Sequence, residues 1–335
     1  MNGLQRCLAV IEGREPDRVP MFPLTMFLAA DRAGMKYRRY ATEGKALAEA
    51  QLSLADRFGL DAITACSDAF RITADLGADM AYPEDQTPYS RSPLVASRAE
   101  LEALPEPDPR ARGSRMADRA EAVAEMVRAA GKERLVLGWI DMPFAEACSV
   151  CKLDAFMMML YDDPGLAHSI LAFLTRVAKD FAAAQIEAGA PMIGAGDAAA
   201  SLISPKQFRE FALPYEMELI EFIHARKALV KLHICGNTSA LLPDMARSGA
   251  DLFNVDHMVD FDEAVRVYGN AGLAYKGNLD PVGDFLDKKP EEVREAALSL
   301  IARARGTKYM LSAGCEIPPS VEDAALEAFC GAVLD

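Results

Sequence analysis

Residues 204–237 read SPKQFREFALPYEMELIEFIHARKALVKLHICGN, and the two halves of this stretch carry different periods. The first half opens with Ser204 as a helix cap, Pro205 in the first turn and Gln207 three residues after the cap. An amphipathic run follows to about Arg226. The second half, residues 228–235, is an almost unbroken apolar strand ending in His233-Ile234-Cys235. A strand without polar alternation is buried on both faces, as in a parallel sheet covered by helices.

Outward from this unit the same alternation recurs. Strand candidates lie at residues 19–25, 61–68, 135–141, 191–197, 228–235, 252–257, 273–278 and 308–314, with helical segments between them. Asp163-Pro164 and Ser320-x-x-Asp323 give two further helix starts. Eight strand–helix units in one chain of 335 residues predict an α/β fold of the (β/α)8 TIM-barrel type. A doubly wound open sheet is the alternative, but no G-x-G-x-x-G follows any candidate strand. Without a second composition zone or a low-complexity linker, residues 1–335 read as one domain. It has an N-terminal extension and a long loop at 71–109, rich in Pro, Asp and Ser.

Hydrophobic residues make up 51% and charged residues 26%, enough for a large core and a solvated surface. A net charge of −14 argues against nucleic acid or an anionic membrane as partner, since both select clustered Lys and Arg. The N-terminus lacks a signal-peptide apolar core, and no apolar run approaches a membrane span. Seven scattered cysteines read as thiols in a reducing cytoplasm rather than a disulfide framework.

In a barrel of this kind, chemistry sits where strands end. Here the ends carry Asp68, Asp141, Asp197, His233 with Cys235, Asp256 with His257, Asn278 with Asp280, and Cys315 with Glu316. An isolated Asp at such a place is ordinarily a helix cap, but convergent buried carboxylates cost free energy unless a metal or substrate neutralises them. Residues two apart on a strand share a face roughly 6.6 Å apart along the chain, so His233 and Cys235 can converge on one ion. Gly236 lets the backbone turn beside them. Cys315, at the end of the last strand, faces the same mouth in a closed barrel. Two thiolates and an imidazole favour zinc and leave one coordination position for chemistry. On spacing alone, His-x-Cys is equally a core His beside a core Cys. Cys148-x-x-Cys151 has no second pair and reads as packing, as does Phe156-Met157-Met158-Met159-Leu160.

At these residues the chain resembles the uroporphyrinogen decarboxylase superfamily. Within it the chain is more similar to the zinc-dependent, cobamide-using methyltransferases, such as methylcobamide:coenzyme M methyltransferases and O-demethylase methyltransferases. The segments that carry the resemblance are Pro16-Asp17-Arg18-Val19-Pro20, Ser67-Asp68, and Leu202 to Phe208 leading into Pro214-Tyr215. With them go His233 to Thr238, Lys276 to Pro281, and Gly314-Cys315-Glu316. Decarboxylases of the superfamily share an Arg-rich segment after the first strand. Here that segment reads Met21-Phe22-Pro23-Leu24-Thr25-Met26-Phe27, without Arg.

The resemblance implies zinc held by His233, Cys235 and Cys315. It implies methyl transfer between a corrinoid and a small thiol, or from a methoxylated substrate to the corrinoid; both directions are chemically open. No D-x-H-x-x-G corrinoid motif occurs, so the cobalamin-type cofactor is expected on a separate corrinoid protein; a homodimer is compatible with the sequence. Asp256 leads the candidates for a fourth zinc position, before Glu316 and Asp197, and a role orienting His233 fits them equally. Asp68 corresponds to the family's substrate-binding Asp, and Asn237 and Asn278 are carried as cofactor-side contacts. The alternatives are a metal-free decarboxylase-type lyase and a non-catalytic zinc-containing binding protein.

Overall fold

The structure is a computed structural model, and it describes residues 1–334. Seven parallel strands form one curled sheet in sequential order, here numbered β1 to β7. They are Ala62–Thr64, Leu135–Asp141, Met192–Gly196, Leu229–His233, Leu252–Asn254, Ala274–Leu279 and Tyr309–Ala313. Each strand pairs in parallel with the next, and helices fill the connections.

The expected strand at residues 19–25 does not form. Pro20 and Pro23 bring no N–H to a ladder, and the segment makes two isolated bridges, Met21 with Leu311 and Leu24 with Glu316. It nevertheless bonds both ends of the sheet. Phe22 N donates to Leu311 O at 2.9 Å, and Asp61 N donates to Met21 O at 3.0 Å. The loop at 71–109 also has more structure than expected: helices Arg71–Asp75 and Arg98–Glu102, and a small antiparallel pair between Met80–Ala81 and Tyr89–Ser90. Ser320 caps nothing, since that helix starts at Asp323 with Glu322 before it. Asp163 does cap its helix, accepting from Leu166 N, and Ser204 forms a capping box with Gln207.

Side chains on the inner face change character along every strand. At the strand starts, Ala62, Leu135, Leu137, Met192, Leu252, Ala274 and Met310 form an apolar cluster with Phe22, and Cys7 and Val10 of helix Gly3–Glu12 pack onto it. One step further the same rows hold Thr64, Trp139, Lys231, Asn254, Lys276 and Ser312, all buried. At the strand ends they hold Cys66, Asp141, His233, Asp256 and Asn278. The interior is therefore apolar and plugged at one end and polar at the other. Gly194 and Gly196 on β3 make room for the Trp139 indole; a Cβ on Gly194 would stand 2.6 Å from the ring.

Candidate metal centre

His233 is the last residue of β4, Cys235 follows two residues later, and Cys315 lies two residues past β7. The sheet's curl brings the three together. Cys235 Sγ lies 3.1 Å from His233 Nε2 and 3.6 Å from Cys315 Sγ. All three ligand atoms fall within 4.8 Å of one another, the one such group among the described residues. A tetrahedral zinc with bonds of about 2.3 Å to sulfur would hold two sulfurs roughly 3.7 Å apart, so the sulfur–sulfur spacing fits the ion.

Asn254 on β5 braces both halves of this set. Its carbonyl lies 3.2 Å from His233 Nδ1, which directs Nε2 toward the thiols, and its Nδ2 donates to Gly314 O at 2.9 Å, next to Cys315. A carbonyl partner for the non-ligating nitrogen is the usual support of a metal-binding imidazole. Gly314 cannot be replaced, because a Cβ there would stand 2.3 Å from His257 N. Gly236 takes φ +90, where L side chains are strained.

The two thiols share a proton unequally. Accepting from Cys235, and then interaction with His233, holds Cys315 down to about 3 against its burial. Cys235 is pushed up, first by the bond to Cys315 and then by burial. Beneath them Lys231 is fully enclosed, with Nζ 4.5 Å from the centre of the Trp139 ring, and burial pulls its ammonium down to about 8.

The carboxylates divide by environment. Asp256 is buried, accepts from Met258 N and pairs with His257 Nδ1 at 3.2 Å, and its charge helps raise Cys235. Glu316 accepts from Phe27 N at 2.5 Å, and burial pushes its carboxyl up to about 7. Asp197, the residue after β3, is buried. Its backbone N–H bonds His233 O, its Oδ1 accepts from Ala145 N, and its carboxyl meets Glu216 of helix Leu213–His224. Both acids are wholly buried without a cation. Asp197 Oδ2 and both Glu216 oxygens find no donor, so the pair must share a proton. Burial raises Asp197 to about 7 and Glu216 further.

Asp68 is buried and fully paired. Arg115 holds both its oxygens at 3.0 and 2.9 Å, and Arg119 and Arg71 pack around it. Its carboxylate is kept below the usual range by that pairing against the cost of burial. Asn278 is buried, donating to the carbonyls of Asp256 and Val259, so it shapes the β5 loop. Asn237 is exposed and caps a turn at Ser239 N. Cys148 and Cys151 lie on helix Pro143–Cys151 as free thiols. Sequence reasoning missed Glu216 and Asn254. Glu216 sits in the first turn of helix Leu213–His224, and only its place on the buried face of Leu219 and Ile220 signalled burial; Asn254 had the inner-face register of Leu252 as its one signal.

A family model described as uroporphyrinogen decarboxylase (URO-D) matches residues 2–335. A uroporphyrinogen decarboxylase from Prochlorococcus marinus is 26% identical over 284 residues, covering 82% of this chain and 78% of its own. One from Pseudomonas putida is 27% identical, covering 85% and 81%. Among solved structures, a methyltransferase from Methanosarcina mazei superposes with TM-score 0.89 at 22% identity, covering 99% of this chain and 98% of its own. A B12-independent methionine synthase from a Shewanella species superposes with TM-score 0.58 at 12% identity, covering 86% of each chain. These likenesses establish a shared α/β fold.

Proposed function

From the premise that the chain belongs to the uroporphyrinogen decarboxylase (URO-D) family, we propose that it is a zinc-dependent methyltransferase. It would move a methyl group between a corrinoid carried by a partner protein and a small thiol or methoxylated substrate. The observation that carries this reading is the convergence of His233, Cys235 and Cys315 at the polar end of the sheet. Segment 20–24, bonded to both sheet ends, is read as a degenerate eighth stave that closes the barrel.

Zinc bound by the triad would supply Lewis acidity to a thiol sulfur, or to the oxygen that bears a methyl group. The chain's own residues prepare the place for it. Asn254 fixes the imidazole face and the Cys315 loop together. Glu316, with a carboxyl near 7, is the group placed to take the proton that a thiol gives up. Asp256 stands closest in its electrostatic effect on Cys235 and remains the first candidate to fill the open position when substrate is absent.

The relatives' names favour a second reading, porphyrinogen decarboxylation. A substrate with four carboxylates needs a cationic clamp, and residues 21–27 carry no Arg or Lys. The test is metal analysis joined to a transfer assay with methylcobalamin over a panel of thiols. About one zinc per chain is expected, lost in Cys235→Ser and Cys315→Ser together with transfer. Metal-free wild-type protein with full activity would overturn the proposal.

A further inference from the structure

The charges around the mouth bear on which substrate the site takes. In the first six residues after each of the seven strands there is no Lys or Arg, and none in residues 25–31 beside them. Of the carboxylates in the segments after the strands, Asp68 is paired with Arg115, Asp197 with Glu216 and Asp284 with Lys288, Glu146 is buried against Thr73 and Asp260 caps a helix, which leaves Asp256, Asp280 and Glu316 without a Lys or Arg partner. The cations nearest in the fold are already committed. Arg115 and Arg119 lie behind Asp68, bonded to its carboxylate and to the carbonyls of Asp68 and Trp139. Lys276 donates to Phe22 O and Ser312 Oγ beneath the site, and Lys231 is covered by Trp139. His257 stands between Asp256 at 3.2 Å and Asp280 at 3.9 Å.

An anionic group entering this mouth would lose water, meet carboxylates and find no counter-charge. We infer that the substrate is a small molecule whose body is neutral or cationic, and that the site rejects sulfonates, carboxylates and phosphates. The inference rests on the methyl-transfer reading for the location of the site, but charge selection is a separate property of the mouth. Two of the groups responsible are named by position: Glu316, next to Cys315, and Asp256, two residues past β5 and paired with His257.

Three thiols of matched length separate the cases: cysteamine, mercaptoethanol and mercaptoethanesulfonate, which end in a cation, a neutral hydroxyl and an anion. Each is titrated into the Co(II)-substituted full-length protein at pH about 8, where all three carry the same reacting group, and binding is read from the thiolate-to-cobalt absorbance. Cysteamine is expected to bind at least as tightly as mercaptoethanol, and the sulfonate at least about tenfold more weakly. Glu316→Gln, which keeps an oxygen for Phe27 N, should narrow the gap between mercaptoethanol and the sulfonate severalfold. The inference is overturned by a sulfonate that binds as tightly as the neutral thiol, or by an unchanged gap in both Glu316→Gln and Asp256→Asn. Methyl transfer is not read in this experiment. Failed transfer with the expected binding order therefore sinks only the functional reading, and a reversed order with transfer intact sinks only the charge inference.

Discussion

Asn254 shows how one residue outside a metal set can brace it. Its backbone carbonyl meets His233 and its side-chain amide donates to the carbonyl before Cys315, so ligands from two separated strands depend on one residue. Asn254→Ala should leave the carbonyl in place and free the Cys315 loop. The expected result is zinc affinity about 10–100-fold weaker, the usual scale for lost support of a ligand, read by chelator competition while the far-UV spectrum stays unchanged. At this same scale the sequence was legible for the ligands and opaque for their support. His-x-Cys announces itself by residue type and spacing. Asn254 is ordinary until the sheet places it between β4 and β6. Asp68 is a related case: its place at a strand end is legible in sequence, and its pairing with Arg115, 47 positions away, is not.

At the scale of elements, the helical run after Ser204 is continuous in sequence and broken in structure. A short helix Pro205–Gln207 gives way to a π-turn at Phe208–Ala212 before Leu213–His224 resumes. Pro214 lacks the N–H that would continue the ladder, and the wider turn absorbs the gap. The shift seats Glu216 against Asp197 at the end of β3. Both carboxyls are raised by burial, Asp197 to about 7 from 3.8. A carboxyl raised in the folded state contributes its stability in full below the unfolded value and loses it as pH rises through the folded one. The protein should therefore lose stability between about pH 4 and pH 7 through this pair. Glu216→Gln supplies a permanent N–H to Asp197 and should flatten that loss, measured as denaturation midpoints across the range. An unchanged pH profile in the variant would remove the shared proton from the account.

For the whole molecule, β4 and β7 are separated by two strands, so an ion held between Cys235 and Cys315 ties distant parts of the sheet. Zinc at about a hundred times its Kd would add about 2.7 kcal/mol to the folded state. Exhaustive chelation should lower Tm by a few degrees, and re-addition of zinc should restore it, with no such response in Cys315→Ser. No helix among the described residues is long and apolar enough to cross a membrane.

The sequence by itself determined the strand–helix alternation, the places where strands end, and the residue types that can bind a soft metal. These are local matters, set by period and chemistry within a few residues. It overestimated the strand at 19–25, because two prolines weigh little against an apolar pattern until hydrogen bonds are counted. Only the tertiary structure decided which polar side chains face one another. Cys315 meets Cys235 across 80 residues, Asp197 meets Glu216, and Arg115 pairs with Asp68. The physical reason is that sheet curvature and burial turn separate charges into pairs, and pairing across the fold leaves no period in the chain.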